Sequence, residues 1–266
     1  MGPEWVPPGI DVERPSVARV YDYLLGGGHN FAVDRQVAEQ LLVVFPEAPL
    51  AAHANRAFLR RAVRFLIAAG VRQFLDIGSG IPTTGHVHEI AQEADPDAHV
   101  VYVDISPVAV AHSQEVLAGN DRAAVIQEDV RRPAQILQHP DVRRLLDLGQ
   151  PVGVLMVALM HFLPDVDDPA NLIARLTGPM ASGSYLVVSH GTDDGPLDGA
   201  AGREVFRRSG IEVTFRTRAQ VQALFAGWDL VDPGVVWVPQ WRPDPPHNLR
   251  DRPEYAALYG GVGRKR

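Results

Sequence analysis

The sequence predicts an α/β fold, a mostly parallel sheet preceded by a helical N-terminal region. Three observations lead there. The first 70 residues carry helical periodicity and no strand pattern. From residue 71 onwards, short apolar runs alternate with helix-length segments. Those runs are continuously apolar, as in strands covered on both faces. Strands that alternate with helices give a parallel sheet with right-handed crossovers.

The elements follow in order. Residues 1–15 are rich in proline and read as an arm. Ser16 to Leu25 is a short helix with Ser16 as N-cap and Gly26 as its stop. Gly26-Gly27-Gly28 forms a flexible turn. Val33, Val37, Leu41 and Val44 mark one face of a second helix, ended by Pro46 and Pro49. Ala54, Phe58, Ala62, Phe65, Leu66 and Ala69 mark a longer amphipathic helix ending at Gly70. Five strands are expected: Gln73–Ile77, His99–Val103, Ala123–Ile126, Val152–Ala158 and Tyr185–Ser189. Ser106-Pro107 and Asp168-Pro169 each set an N-cap before a proline at the first helical position. Thr217 to Phe225 is a helix with a Thr217/Gln220 capping box. Leu230-Val231 and Val235–Val238 are expected as two closing strands around Asp232-Pro233-Gly234. The division is thus a helical region, 1–70, and a sheet domain, 71–266, forming one compact unit.

Composition narrows the function. A chain of 266 residues with 46% hydrophobic content supports one large domain. Cysteine is absent, which excludes disulfides, thiolate metal sites and cysteine nucleophiles. The net charge of −7 argues against a general nucleic-acid partner, which needs many basic residues. No apolar run reaches the ~18 residues of a membrane span. The N-terminal residues lack the basic and apolar regions of a signal peptide, so a cytoplasmic location is expected.

The chemistry concentrates in Phe74-Leu75-Asp76-Ile77-Gly78-Ser79-Gly80, a strand ending in an acid, then Gly-x-Gly. A dinucleotide site wants a third glycine, but Thr83 stands there. A pyrophosphate would also be repelled by Asp76. A carboxylate suits a cationic ligand instead, and S-adenosylmethionine carries a sulfonium and an amino group without phosphate. Asp104 ends the second strand, where a carboxylate can accept from both ribose hydroxyls. Glu128-Asp129 ends the third, where an acid can accept from an adenine amino group beside Val130. Three acids at successive strand ends share the edge where open α/β sheets bind ligands.

With these residues the chain resembles the class I S-adenosylmethionine-dependent methyltransferases, and more closely an actinobacterial S-adenosyl methyltransferase family formerly classed as a domain of unknown function. The resemblance covers nearly the whole chain. It is carried by the run Arg14 to Asn30, Asp34-Arg35, Asn55 to Leu59, Phe74 to Thr83, Val87 to Gln92, Val101 to Pro107, His161 to Asp165, Gly183 to His190 and Trp241-Arg242-Pro243. Ile105-Ser106 stands where the family is expected to have Asn-Asp. The resemblance implies a Rossmann-like, seven-stranded sheet with its last strand antiparallel, and an N-terminal helical cap. The expected cofactor set is Asp76, Gly78, Ser79, Gly80, Asp104, Ile105, Asp129 and Val130, with S-adenosyl-L-methionine as the cofactor and a small molecule as methyl acceptor.

Other residues invite roles. His161, just past the fourth strand, is a candidate general base. Tyr21, Tyr23, His29, Asn30 and Asp34 surround the glycine triplet and suggest a lid that closes on the cofactor and shapes the substrate site. Tyr21 and Tyr23 cannot share a helix face, so one is expected in the core and one at the ligand. His86-x-His88-Glu89 is poorly spaced for a metal on a helix, and no metal is expected. Arg203, Arg207, Arg208, Arg216 and Arg218 read as a solvated surface rather than an acidic-substrate patch. Two other readings remain: a non-catalytic S-adenosylmethionine sensor and an NAD(P)-dependent oxidoreductase.

Overall fold

In the computed structural model, residues 11–82, 85–244 and 251–266 are described. Most of the N-terminal arm, and Thr83, lie outside them. Three helices open the chain: α1 (Val17–Leu24), α2 (Ala32–Val44) and α3 (Ala48–Ala68). The third starts six residues earlier than expected, because Pro49 sits in its first turn, where a missing N–H costs nothing.

A Rossmann-like alternation follows: β1 (Gln73–Ile77), α4 (Val87–Ala94), β2 (His99–Asp104), α5 (Pro107–Val116), β3 (Ala123–Gln127), α6 (Pro133–Gln138), α7 (Pro140–Leu145), β4 (Val152–Val157), α8 (Pro169–Thr177) and β5 (Tyr185–Gly191). The chain closes with α9 (Gly199–Arg208), α10 (Arg218–Ala223), β6 (Trp228–Leu230), β7 (Val236–Trp237) and β8 (Leu258–Lys265).

The strand order is β3-β2-β1-β4-β5-β8-β6, with the short β7 also paired to β8. Strands β1 to β5 are parallel and β8 runs antiparallel to β5. This is the mostly parallel sheet with an antiparallel last strand that the resemblance implies, with one short strand added. Alternate residues divide between two cores. Leu75, Val101, Val154 and Leu186 face α6, α7 and α8. Phe74, Val100, Leu155 and Val187 meet Phe58, Ala62 and Leu66 of α3. The third N-terminal helix therefore shares a core with the sheet.

The closing strands need correction. Residues 228–230 and 236–237 are strands, but they do not pair with each other; both pair with β8. That strand escaped sequence reading because three of its eight residues are glycine, a residue depleted in strands. The glycines mark close approach. A Cβ on Gly260 would lie 2.9 Å from both Phe58 Cζ and Val238 Cγ1.

Gly260→Ala is expected to cost about 1–3 kcal/mol through overpacking of a filled core. Urea unfolding should show a lower midpoint at an unchanged slope; an unchanged midpoint would show that Phe58 and Val238 can yield.

Candidate active site

A cavity of about 380 Å³ opens where β1 to β5 end, roofed by α1, α2 and α3. All eight residues of the expected cofactor set line it, as do Tyr21 and His161.

The glycine loop is held against the second strand. Gly78 N–H donates to the Val103 carbonyl at 2.7 Å. Gly78 has φ 70°, and a Cβ there would lie 2.7 Å from Leu159 Cδ1, so no other residue fits. Asp104 ties two segments together: Oδ2 accepts from Gly80 N–H at 2.8 Å and Oδ1 from Ser106 N–H at 2.8 Å. Burial raises its pKa, with those amides opposing. Each oxygen still has acceptor capacity for a ligand hydroxyl. Ile105 beside it is 58% exposed, unusual for a large apolar side chain.

Asp76 is 5% exposed. Burial pushes its carboxyl up to about 7, against the nearby Arg56 charge and with help from Asp104. Asp129 differs. Burial would raise it, but Arg131 grips both its oxygens at 2.6–3.0 Å and holds it below the usual carboxylate range.

Donor chemistry can be tested on the loop itself. Ser79 Oγ is buried without a hydrogen-bond partner among the described residues. Apart from its two chain neighbours, no atom of the described residues lies within 4 Å of where a side chain on Gly80 would begin. An unmatched hydroxyl, an open backbone and two buried carboxylates fit a polar, cationic, sugar-bearing ligand.

His161 is buried, and Gly191 N–H donates to its Nδ1 at 3.2 Å. A backbone N–H can only donate, so the neutral ring carries its hydrogen on Nε2. Burial, then His190 and Arg216, push its pKa well below the ordinary value. As placed, His161 is a hydrogen-bond donor and not the general base that the sequence suggests.

The suggested lid residues separate. Tyr21 donates to the Ala52 carbonyl at 3.1 Å and accepts from Asn55 Nδ2 at 3.0 Å. Asn55 Oδ1 accepts from Ser189 Oγ at 2.6 Å, and Ser189 Oγ accepts from Ala158 N–H at 2.8 Å. Ala158 has φ 56°, a left-handed conformation costing roughly 1–2 kcal/mol, held by that bond.

Four lid residues need correction, since none of them lines this cavity. Tyr23 packs with Val20, Val37 and Ala38. Asn30 donates to Asp22 Oδ2 at 3.0 Å. Asp34, fully buried, pairs with Arg19 at 2.7 Å and accepts from Ser16 and Phe31 N–H. His29 lines a separate hollow with Arg56 and Arg60. Their polarity serves the fold of the cap.

The basic run divides: Arg207 and Arg208 are exposed, as expected of a solvated surface, whereas Arg216 needs correction. Arg216 is buried, donates to the Met160 and Leu163 carbonyls and meets His190 Nε2 at 2.8 Å. Arg203 pairs with Asp193, and Arg207 and Arg208 pair with Glu204. Sequence reading missed the apolar wall of the cavity: Leu41, Val44 and Phe45 from the cap, with Phe162, Phe206 and Phe215. Scattered single aromatics carry no spacing signal.

The profile of the S-adenosyl methyltransferase family matches residues 3–266. The chain belongs to the S-adenosyl methyltransferase family. It is 39% identical to a DUF574 family protein from Streptomyces avermitilis, with a TM-score of 0.93, covering 96% of this chain and 99% of that one. It is 40% identical to a candidate methyltransferase from Thermobifida fusca, also with a TM-score of 0.93, covering 99% and 100%. Human N-acetylserotonin methyltransferase shares the fold at 14% identity and a TM-score of 0.50, covering 95% of this chain and 63% of that one. No curated protein matches the chain. The methyltransferase uses S-adenosyl-L-methionine, and nothing favours a nicotinamide coenzyme or a purely sensory role. No helix among the described residues is long and apolar enough to cross a membrane.

Asp76 gives the methyltransferase a distinctive pH response. With its folded pKa raised to about 7, the folded state holds a proton that the unfolded chain has lost, so this carboxyl makes stability fall as pH rises from about 4 to about 7. Asp76→Asn removes that slope. The difference between the two melting-temperature profiles isolates Asp76 from His190, lowered to about 4, and His161, whose slopes have the opposite sign. The variant should gain stability relative to the parent above about pH 6; parallel profiles would refute the raised pKa.

Proposed function

We propose that the methyltransferase acts on a small or medium-sized acceptor held beneath the helical cap, with the cofactor across the ends of β1, β2 and β3. The observation that carries this reading is Asp104, whose two carboxylate oxygens each take one backbone N–H from flanking loops and keep capacity for two ribose hydroxyls.

When bound, S-adenosylmethionine supplies a methyl group on a sulfonium, which needs no further activation. Asp76 faces the cationic amino end, where a positive charge would draw its carboxyl back to the ionised form. Ser79 and Gly80 receive the ligand at the loop. Ile105 and Val130 supply apolar surface to the base, and Asp129 accepts from its amino group while held by Arg131. Tyr21, through Asn55, fixes the cap over the acceptor. Catalysis rests on proximity, in-line alignment and exclusion of water, with no side chain required to move a proton.

Titration calorimetry should show binding of S-adenosylmethionine and S-adenosylhomocysteine and none of NAD(P). Asp104→Ala should weaken the cofactor tenfold to about a hundredfold or more, since a charge-assisted hydrogen bond contributes roughly 1.5–3 kcal/mol. Asp129→Ala should weaken it less. An unchanged dissociation constant in Asp104→Ala would displace the site.

If residues 14–35 close over the cofactor, S-adenosylhomocysteine should slow amide exchange there more than in α3. Protection confined to the strand ends near Asp76, Asp104 and Asp129 would make the cap a fixed roof.

A further inference from the structure

The cavity has two halves with opposite chemistry. Over β1, β2 and β3 stand the carboxylates of Asp76, Asp104 and Asp129. Of the two arginines that line the cavity, Arg131 is clamped on Asp129, and Arg56 lies within electrostatic reach of both Asp76 and Tyr21, at the boundary of the halves. Over β4 and β5 the wall is apolar. Phe162 comes from the turn after β4, Phe206 from α9 and Phe215 from the segment after α9. Phe162 and Phe206 meet edge to face with ring centroids 6.5 Å apart. Phe215 rests on Gly191, where a Cβ would be 3.1 Å from its ring.

Polar groups in this half are engaged with protein. The Tyr21 hydroxyl and the Asn55 amide are bonded to each other and to Ala52 and Ser189. Asp193 pairs with Arg203, and Asp198 caps Ala201 N–H. Two groups keep donor capacity: the Thr192 hydroxyl, which accepts from Asp194 N–H, and His161. Its Nδ1 is taken by Gly191 N–H, and its Nε2 makes no hydrogen bond to any described residue. The half therefore offers aromatic faces, the His161 N–H and Thr192 O–H donors, the exposed carboxylates of Asp193 and Asp198, and no lining arginine or lysine from β4, β5 or the segments after them.

Resting on the assignment of this cavity to methyl transfer, we infer that the acceptor is an uncharged aromatic amine or ring nitrogen, packed against Phe162, Phe206 and Phe215, with the Nε2–H of His161 on its π face and the nitrogen lone pair left free. An anionic acceptor would lose its hydration against the aromatic rings and meet the Asp193 and Asp198 carboxylates. A neutral hydroxyl would have to lose a proton, and the groups there that could take it, the carboxylates of Asp193 and Asp198, are weak bases towards a hydroxyl that ionises at about pH 10. A neutral nitrogen meets neither obstacle. Its lone pair forms the bond to the methyl carbon as the carbon–sulfur bond breaks, and that bond's electrons stay on sulfur as S-adenosylhomocysteine. The positive charge passes to the nitrogen; where the nitrogen bears hydrogen, a proton then leaves to water.

Three bicyclic probes test this: indane bearing an amino, hydroxyl or carboxylate group on its aromatic ring. Binding is read by ligand-observed NMR on the protein saturated with S-adenosylhomocysteine, and turnover by mass spectrometry with S-adenosylmethionine. The amine and the hydroxyl should bind, with the carboxylate at least about tenfold weaker. Near pH 7.5 the amine should be methylated about a hundredfold faster than the hydroxyl, whose rate should rise with its own ionisation near pH 10. Phe206→Ala, or Phe206→Leu if the first does not fold, should weaken the amine about tenfold while S-adenosylhomocysteine binds unchanged. Equal or tighter carboxylate binding, a hydroxyl methylated as fast as the amine near pH 7.5, or no binding of any probe to the cofactor-loaded protein would overturn the inference. Failure of S-adenosylhomocysteine itself to bind would instead overturn the assignment of the cavity.

Discussion

Asn55 closes the hydrogen-bonded chain on which the architecture of the cavity depends. It joins Tyr21 of α1 to Ser189 of β5, and Ser189 in turn holds the left-handed Ala158 at the end of β4. A buried amide left without partners costs more than a made hydrogen bond contributes, so the chain has one satisfied geometry. That geometry sets the height of the helical roof above the strand ends. It also places Leu159, which follows Ala158, against the glycine loop at Gly78. Cap, β4, β5 and loop are thereby held in one register.

The cap needs its own internal order to serve as that roof. Asp34 supplies it, accepting from Arg19 and from the N–H groups of Ser16 and Phe31 while fully buried. Asp22 does the same for the glycine turn, through His29 N–H and Asn30. With these carboxylates satisfied inside the cap, its lower face can be apolar. The result is a cavity with acids over β1 to β3 and aromatic rings at the other end. On the proposed reading such polarity sorts the two reactants by charge, with Asp76 in the half assigned to the cofactor.

Much of this was legible in the residues. The strands β1 to β5 announced themselves as continuous apolar runs because both of their faces are covered. Asp76, Asp104 and Asp129 could be placed on one edge because parallel strands all end on the same side. The last strand could not be read, since Gly260, Gly261 and Gly263 are there for the space that Phe58, Phe225 and Trp228 occupy, and those neighbours are distant in sequence. Pro49 looked like a break and proved to be a helix start, because proline is compatible with a first turn.

The sequence by itself determined the parallel sheet, the helical N-terminal region and the three acids at the strand ends. Periodicity and strand termination are local properties, and the direction of a parallel sheet follows from them. Only the tertiary structure decided which polar residues look into the cavity. Tyr21 does, while Tyr23, Asn30 and Asp34 hold the cap together. Only the fold, too, turned His161 from a candidate base into a donor, by bringing Gly191 N–H to its Nδ1 from a strand thirty residues away. A polar side chain in a sequence states only that it needs a partner; whether that partner is backbone, another side chain or a ligand is settled by what the fold brings within hydrogen-bond reach.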